Sequence, residues 1–139
     1  MEAVAVLAIY EGALRHGYKQ DKTLGYEWPS PKSAGVNPKR ADLAFKELGR
    51  GKNWGYVEVK YYGAKGKSFV AADVEKLRTI TNRVQRWMLV YRVRPATGTS
   101  RSLEDLLEDI EATDVLTKHF PTLTGNGEEG RCDIWLGRV

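Results

Sequence analysis

Two short stretches of the sequence, RADLAFK at residues 40–46 and WGYVEVKYY at residues 54–62, decide the fold of this chain. Each has the composition and alternation of a β-strand, and the turn-forming residues Gly49-Arg50-Gly51 lie between them. We therefore predict that the two stretches form an antiparallel hairpin. The centre of the turn is midway in sequence between Asp42 and Glu58, so the hairpin places these two carboxylates opposite each other.

The predicted pairing of Asp42 with Glu58 indicates a site for a cation. Two carboxylates that face each other repel, and each raises the proton affinity of the other unless positive charge lies between them. Carboxylate oxygens are hard ligands suited to magnesium, and a bound divalent ion removes the conflict. Because side chains alternate along a strand, Lys60 shares the face of Glu58 and brings an ammonium group to the same site.

A third acidic residue, Glu11, lies in the N-terminal segment. Leu7, Leu14 and Tyr18 recur at helical spacing, which predicts an amphipathic helix over residues 3–18 with Glu11 beside its buried stripe. A carboxylate in that position requires a partner. On the residues alone, a metal ion, a metal-bound water and an arginine of a salt bridge fit equally well.

The rest of the chain predicts helices and strands in alternation, which is typical of an α/β protein. Ser102 and Asp105 have the spacing of a helix cap, and a stripe of leucines follows them. In chain order the predicted elements are the first helix, a short strand near residues 26–28, the hairpin, a helix over 71–81, a strand over 86–93, a helix over 102–118 and a closing strand over 132–136.

Composition and charge limit the class of protein. The length of 139 residues and the hydrophobic content of 42% predict one globular domain over residues 1–139. Cys132 is the only cysteine, which excludes an internal disulfide, and the apolar stretch 3–10 is too short to cross a bilayer, so we expect a cytoplasmic protein.

The net charge is +4, with basic residues concentrated over 39–101 and acidic ones over 104–114. The basic segment is the expected face for a polyanion.

With these residues in place, the chain resembles the PD-(D/E)xK nuclease superfamily, whose members include restriction enzymes and Holliday junction resolvases. Four segments carry the resemblance over residues 5–95, namely Tyr10-Glu11-Gly12, Arg40-Ala41-Asp42-Leu43, Tyr56-Val57-Glu58-Val59-Lys60 and Asp73-Val74-Glu75-Lys76-Leu77. The resemblance implies an αβββαβ core, with a mixed central sheet flanked by helices and with a helix and strand added at the C-terminus. Ala41 stands where the family pattern has proline, and residues 101–139 have no counterpart in a minimal resolvase, so the subfamily stays unassigned.

The resemblance also implies a role for each matched residue. Asp42 and Glu58 would bind Mg²⁺, for which Mn²⁺ can substitute, with the Val59 carbonyl as a further ligand. Lys60 would serve the attacking water, and Glu11 would bind a second ion or fix a water. The substrate would be DNA, duplex or branched, cut by a homodimer.

Basic residues outside this set are expected to contact the phosphate backbone. Lys65 and Lys67 lie in the glycine-rich loop 63–67, whose spacing differs from that of a Walker phosphate loop. Lys76 is a further phosphate contact or a solvated residue on an exposed helix face.

Two other interpretations of the same residues remain open. One is a nucleic-acid-binding protein that keeps the nuclease fold without catalysis. The other is an assembly protein in which the charges form a salt-bridged sheet face. Of the three interpretations, the nuclease and the binding protein predict affinity for nucleic acid at low salt, and the assembly protein does not.

Overall fold

A computed structural model describes residues 2–20, 24–29, 40–46, 54–64, 66–80, 84–98 and 100–139. The described residues form an α/β protein with a mixed six-stranded sheet and three helices. In chain order the elements are α1 (Glu2–Arg15), β1 (Leu24–Pro29), β2 (Arg40–Lys46), β3 (Trp54–Tyr61), α2 (Gly66–Arg78), β4 (Gln85–Pro95), α3 (Leu103–Leu106), β5 (Thr113–Leu123) and β6 (Glu129–Arg138).

The sheet has the strand order β1-β2-β3-β4-β6-β5. Neighbouring strands are antiparallel, except that β3 and β4 run parallel. Parallel neighbours need a crossover connection, and α2 provides it between these two strands. The C-terminal ends of β3 and β4 therefore lie at the same edge of the sheet.

The predicted hairpin is confirmed in both its strands and its register. Strands β2 and β3 are antiparallel, with Leu43 opposite Val57 and Ala44 opposite Tyr56. One further step along this register brings Asp42 opposite Glu58. The predicted turn at residues 49–51 lies outside the described residues.

Alternation along β3 divides the core between the two faces of the sheet. Tyr56 points to one face, where it packs with Val70, Val74 and Leu77 of α2 and with other buried residues. Val57 and Val59 point to the opposite face, where they pack with Leu43 and with Val6 of α1. Helices α1 and α2 therefore cover opposite faces of the sheet.

The structure corrects the predicted buried side of the first helix. Leu7 is 55% exposed and Leu14 is 39% exposed, whereas Val6 is buried and Ile9 packs partly against the same cluster. The helix carries apolar residues almost all the way round, so helical spacing alone could not choose the buried side. Glu11 is exposed, and its placement beside a buried stripe was wrong.

The predicted helix over residues 102–118 was also wrong beyond its first turn. The cap is present, since Ser102 Oγ accepts a hydrogen bond from Asp105 N at 3.2 Å, but α3 is only four residues long. The acidic residues that follow repel one another at helical spacing. Thr113–Leu123 instead forms β5 at the edge of the sheet, where alternating β-branched residues pair with β6 and Pro121 is tolerated.

The other predicted elements are confirmed, with longer strands and with a helix after the hairpin that begins and ends earlier than predicted. The short strand is β1, the helix after the hairpin is α2, and the two later strands are β4 and β6. Within the described ranges, no helix has both the length and the apolar character needed to cross a membrane.

Candidate functional site

The candidate site is built where β2 and β3 diverge. Asp42 is the residue before Leu43, whose pairing with Val57 ends the ladder between these strands, and its carboxylate Oδ2 accepts a hydrogen bond from the Val59 backbone N at 2.8 Å. This bond fixes the Asp42 carboxylate beside β3. Glu58, the residue before Val59, is therefore its immediate neighbour.

Glu58 is a buried acid, with only 3% of its surface exposed. Burial raises the pKa of Glu58 from 4.5 to about 8, because water no longer stabilises the charged carboxylate. A neighbouring lysine, Lys76, lowers this pKa, whereas the Asp42 carboxylate raises it through its charge and through a hydrogen bond. Burial therefore favours the protonated form of Glu58 at neutral pH, whereas nearby positive charge favours its ionised form.

Two lysines bring positive charge to these acids. Lys76 of α2 forms an ion pair with Glu58 Oε1, and Lys60 Nζ lies 3.0 Å from Oδ2 of Asp73, also on α2. Asp73 and Lys76 are three residues apart, so they lie on neighbouring positions of one helix face. The result is a compact group of five charged side chains between β2, β3 and α2.

The position of Lys76 corrects its predicted surface role. We expected a phosphate contact or a solvated side chain, but the ammonium group pairs with the buried acid of the site. Sequence reasoning also gave no role to Asp73. The available signal was the stripe of Val70, Val74 and Leu77, which α2 buries against the sheet and which Asp73 and Lys76 flank.

Glu11 does not join the group. It is exposed, and α1 packs on the face of the sheet opposite to the one that carries Glu58. Over the described part of the chain, no three histidine, cysteine, aspartate or glutamate side chains come together as a metal-binding group. The expected convergence of Glu11 with Asp42 and Glu58 was therefore wrong.

The remaining predicted site residues have different outcomes. Val59 is buried towards α1, and its N–H is used by Asp42, while the role of its carbonyl stays a prediction. Lys65 lies outside the described residues. Lys67 is exposed and forms an ion pair with Asp109 of the acidic segment, which raises the pKa of the lysine.

The donor set of Asp42 and Glu58 fits a magnesium or manganese ion. Both side chains offer carboxylate oxygens, the kind of ligand these ions prefer, and Mg²⁺ commonly binds through one or two carboxylates with waters in the other positions. Burial is the main cause of the raised pKa of Glu58, and a bound cation, like the Lys76 ammonium, would favour its ionised form. A bound ion would displace the proton and compete with the Lys76 ammonium for Glu58.

Comparison with protein-family models, with curated proteins and with solved structures finds no match to this chain.

Proposed function

We propose that this chain is a magnesium-dependent nuclease that hydrolyses phosphodiester bonds of DNA. The observation that carries the proposal is the contact between Asp42 and the buried Glu58 across two strands, with Lys60 two residues further along the same strand face. Two acids can bind a divalent ion and a lysine can stabilise charge that develops on a phosphate, so this arrangement suits metal-assisted phosphodiester hydrolysis.

The order of the elements supports assignment to the restriction-endonuclease-like fold of the PD-(D/E)xK superfamily. The series α1, β1, β2, β3, α2, β4 follows the αβββαβ order that the resemblance implies. The sheet is mixed, and α1 and α2 lie on opposite faces. Strands β5 and β6 extend the sheet beyond this core.

Asp42 and Glu58 would hold the metal ion, and the Val59 amide N–H keeps the Asp42 carboxylate in place. When bound, the ion would lower the pKa of water and neutralise charge on the scissile phosphate. Lys60 then orients the attacking water and donates hydrogen bonds to the phosphoryl oxygens as their negative charge grows. Asp73 positions the Lys60 ammonium, since the two groups lie 3.0 Å apart.

A second candidate is a nucleic-acid-binding protein whose nuclease fold is catalytically silent. The pairing of Lys76 with Glu58 and of Lys60 with Asp73 favours it, because these ion pairs are complete without a metal. In that protein Glu58 would keep its Lys76 partner in the presence of Mg²⁺. DNA would bind without being cut.

An assay of DNA cleavage in the presence of Mg²⁺ and in the presence of EDTA distinguishes the nuclease from the silent binding protein. We expect cleavage by the unaltered protein and a loss of at least about 100-fold in Asp42→Asn and Lys60→Ala, since each removes a group that acts in the transition state. Glu75→Gln, an exposed change on α2, is the matched control and keeps full activity. Full activity in Lys60→Ala would refute the role given to Lys60, and binding without cleavage in the unaltered protein would favour the silent fold.

The substrate panel is duplex, single-stranded, flapped and four-way DNA, with RNA as the comparison. The homodimer and the cytoplasmic location expected above remain predictions. Sedimentation equilibrium of the full chain measures the first, because a dimer doubles the mass of 15.6 kDa.

A further inference from the structure

A second charged cluster lies on β4 and β6, outside the candidate catalytic site. Three arginines surround Asp133, with Arg92 Nη2 at 3.0 Å and Arg94 Nε at 2.8 Å from Oδ2, and Arg131 Nε at 2.9 Å from Oδ1. Burial of Asp133 raises its pKa, but hydrogen bonds from Arg92 and Arg94 outweigh this effect and hold the pKa below its usual value. The acid is therefore ionised, and the four side chains carry a net charge of +2.

The three arginines do not share the same surroundings. Arg92 donates to the Arg101 carbonyl at 2.7 Å, and Arg94 donates to Ser100 Oγ at 3.0 Å, so both hold the segment after β4. Arg131 is 41% exposed, and within the described residues only its Nε makes a hydrogen bond. Holding residues 100–101 therefore does not explain Arg131, whose side chain is partly exposed to solvent.

The cluster lies on the same face of the sheet as Lys60. Strand register pairs Lys60 with Val90, and Arg92 follows two residues later on β4, opposite Asp133 of β6. From strand spacing and rise per residue, the Cα atoms of Lys60 and Arg92 are about 8 Å apart. A polynucleotide strand that crosses the C-terminal ends of β3 and β4 would thus meet both sites.

Beside Arg131 is an open groove of about 750 Å³, with His119, Phe120, Pro121, Leu123 and Glu129 among its lining residues. This volume lies in the range of small-ligand sites, and the apolar wall suits a nucleoside. Glu129 repels phosphate. The phosphate therefore lies on the side of Arg131 that faces Arg94, with the nucleoside towards Pro121 and Leu123, which alternation along β5 places on the same face of the sheet as Arg131.

We propose that Arg131 and Arg94 bind a backbone phosphate of the nucleic-acid strand next to the cleavage site, and that the groove receives the attached nucleoside. This proposal rests on the function proposed above for its substrate class. Guanidinium groups that are fixed by a buried carboxylate are preorganised for phosphate, because their planar N–H groups match its oxygens. Anion binding also offsets the uncompensated charge of the cluster.

The test is fluorescence anisotropy of a labelled single-stranded oligonucleotide and its duplex, in EDTA, over about 50 to 200 mM salt. We expect Arg131→Gln to weaken binding about tenfold at low salt and to reduce the slope of log affinity against log salt by about one. Arg138→Gln is the matched control, because Arg138 lies at the other end of β6, is 48% exposed and pairs only loosely with Asp114 at 3.8 Å. It keeps the affinity and slope of the unaltered protein.

Equal affinities of Arg131→Gln and Arg138→Gln, or no binding by the unaltered protein, would overturn the phosphate site. Cleavage with Mg²⁺, measured on the same preparations, separates this outcome from failure of the proposed function. Cleavage without dependence on Arg131 refutes the phosphate site alone. Arg131-dependent binding without cleavage supports the phosphate site and refutes the nuclease.

Discussion

Replacing Glu58 with glutamine changes how the stability of the protein depends on pH. The pKa of Glu58 is about 8 in the folded chain, whereas the ordinary value of 4.5 applies to the unfolded chain. Between pH 4.5 and about pH 8 the folded state therefore keeps a proton that the unfolded state releases. Stability from this group is therefore complete below about pH 4.5 and is lost as the pH rises towards 8. The loss approaches about 1.4 kcal/mol per pH unit.

Between about pH 5.5 and 7.5 the free energy of unfolding of the unaltered protein should fall by roughly 2 kcal/mol more than that of Glu58→Gln. The measurement is urea unfolding of both proteins at several pH values in this interval, without metal. Other titrating groups are common to the two proteins, so the difference isolates Glu58. The side chain of Glu75 is 72% exposed, so the unfolding free energy of Glu75→Gln should depend on pH in the same way as that of the unaltered protein. Parallel curves for the unaltered protein and Glu58→Gln would refute the buried, protonated acid.

Three further predictions follow from the same contacts. At about pH 7, binding of Mn²⁺ should release about 0.9 proton per chain, because a carboxyl group with a pKa of about 8 is mostly protonated at this pH. Calorimetry in two buffers of different ionisation enthalpy measures the number of protons released. Glu58→Gln should release almost none. Lys76→Met removes the ammonium that lowers the pKa of Glu58, so NMR titration of the carboxyl carbon should place that pKa above 8, and an unchanged midpoint would contradict the ion pair. Val6→Ala should cost about 1–3 kcal/mol of unfolding free energy and Leu7→Ala less than about 0.5, and the reverse order would show that the other side of α1 is buried.

The hairpin and the pairing of its acids could be predicted from the sequence because both depend on local patterns. Alternation over residues 40–46 and 54–62 defines the strands, and the position of the turn between them sets the register. A slip by one residue would move Leu43 and Val57 out of the core, so only one register suits the apolar residues. The neighbourhood of Asp42 and Glu58 follows directly.

The parts that could not be predicted depend on contacts between distant segments. Apolar residues lie on almost every side of α1, so packing against the sheet determines which side of the helix is buried, and the helical pattern alone does not. The segment after α3 becomes a strand because β6 offers an edge to pair with. Lys76 reaches Glu58 because α2 packs over β3, and its spacing in sequence gives no sign of that partner.

Binding of Mn²⁺, followed by electron paramagnetic resonance, tests the central claim most directly. We expect one ion per chain in the unaltered protein, with affinity at least about tenfold weaker in Asp42→Asn and in Glu58→Gln and unchanged in Glu75→Gln. Absence of a bound ion in the unaltered protein, or an affinity in Asp42→Asn and Glu58→Gln that equals that of the unaltered protein, would contradict a metal site between β2 and β3.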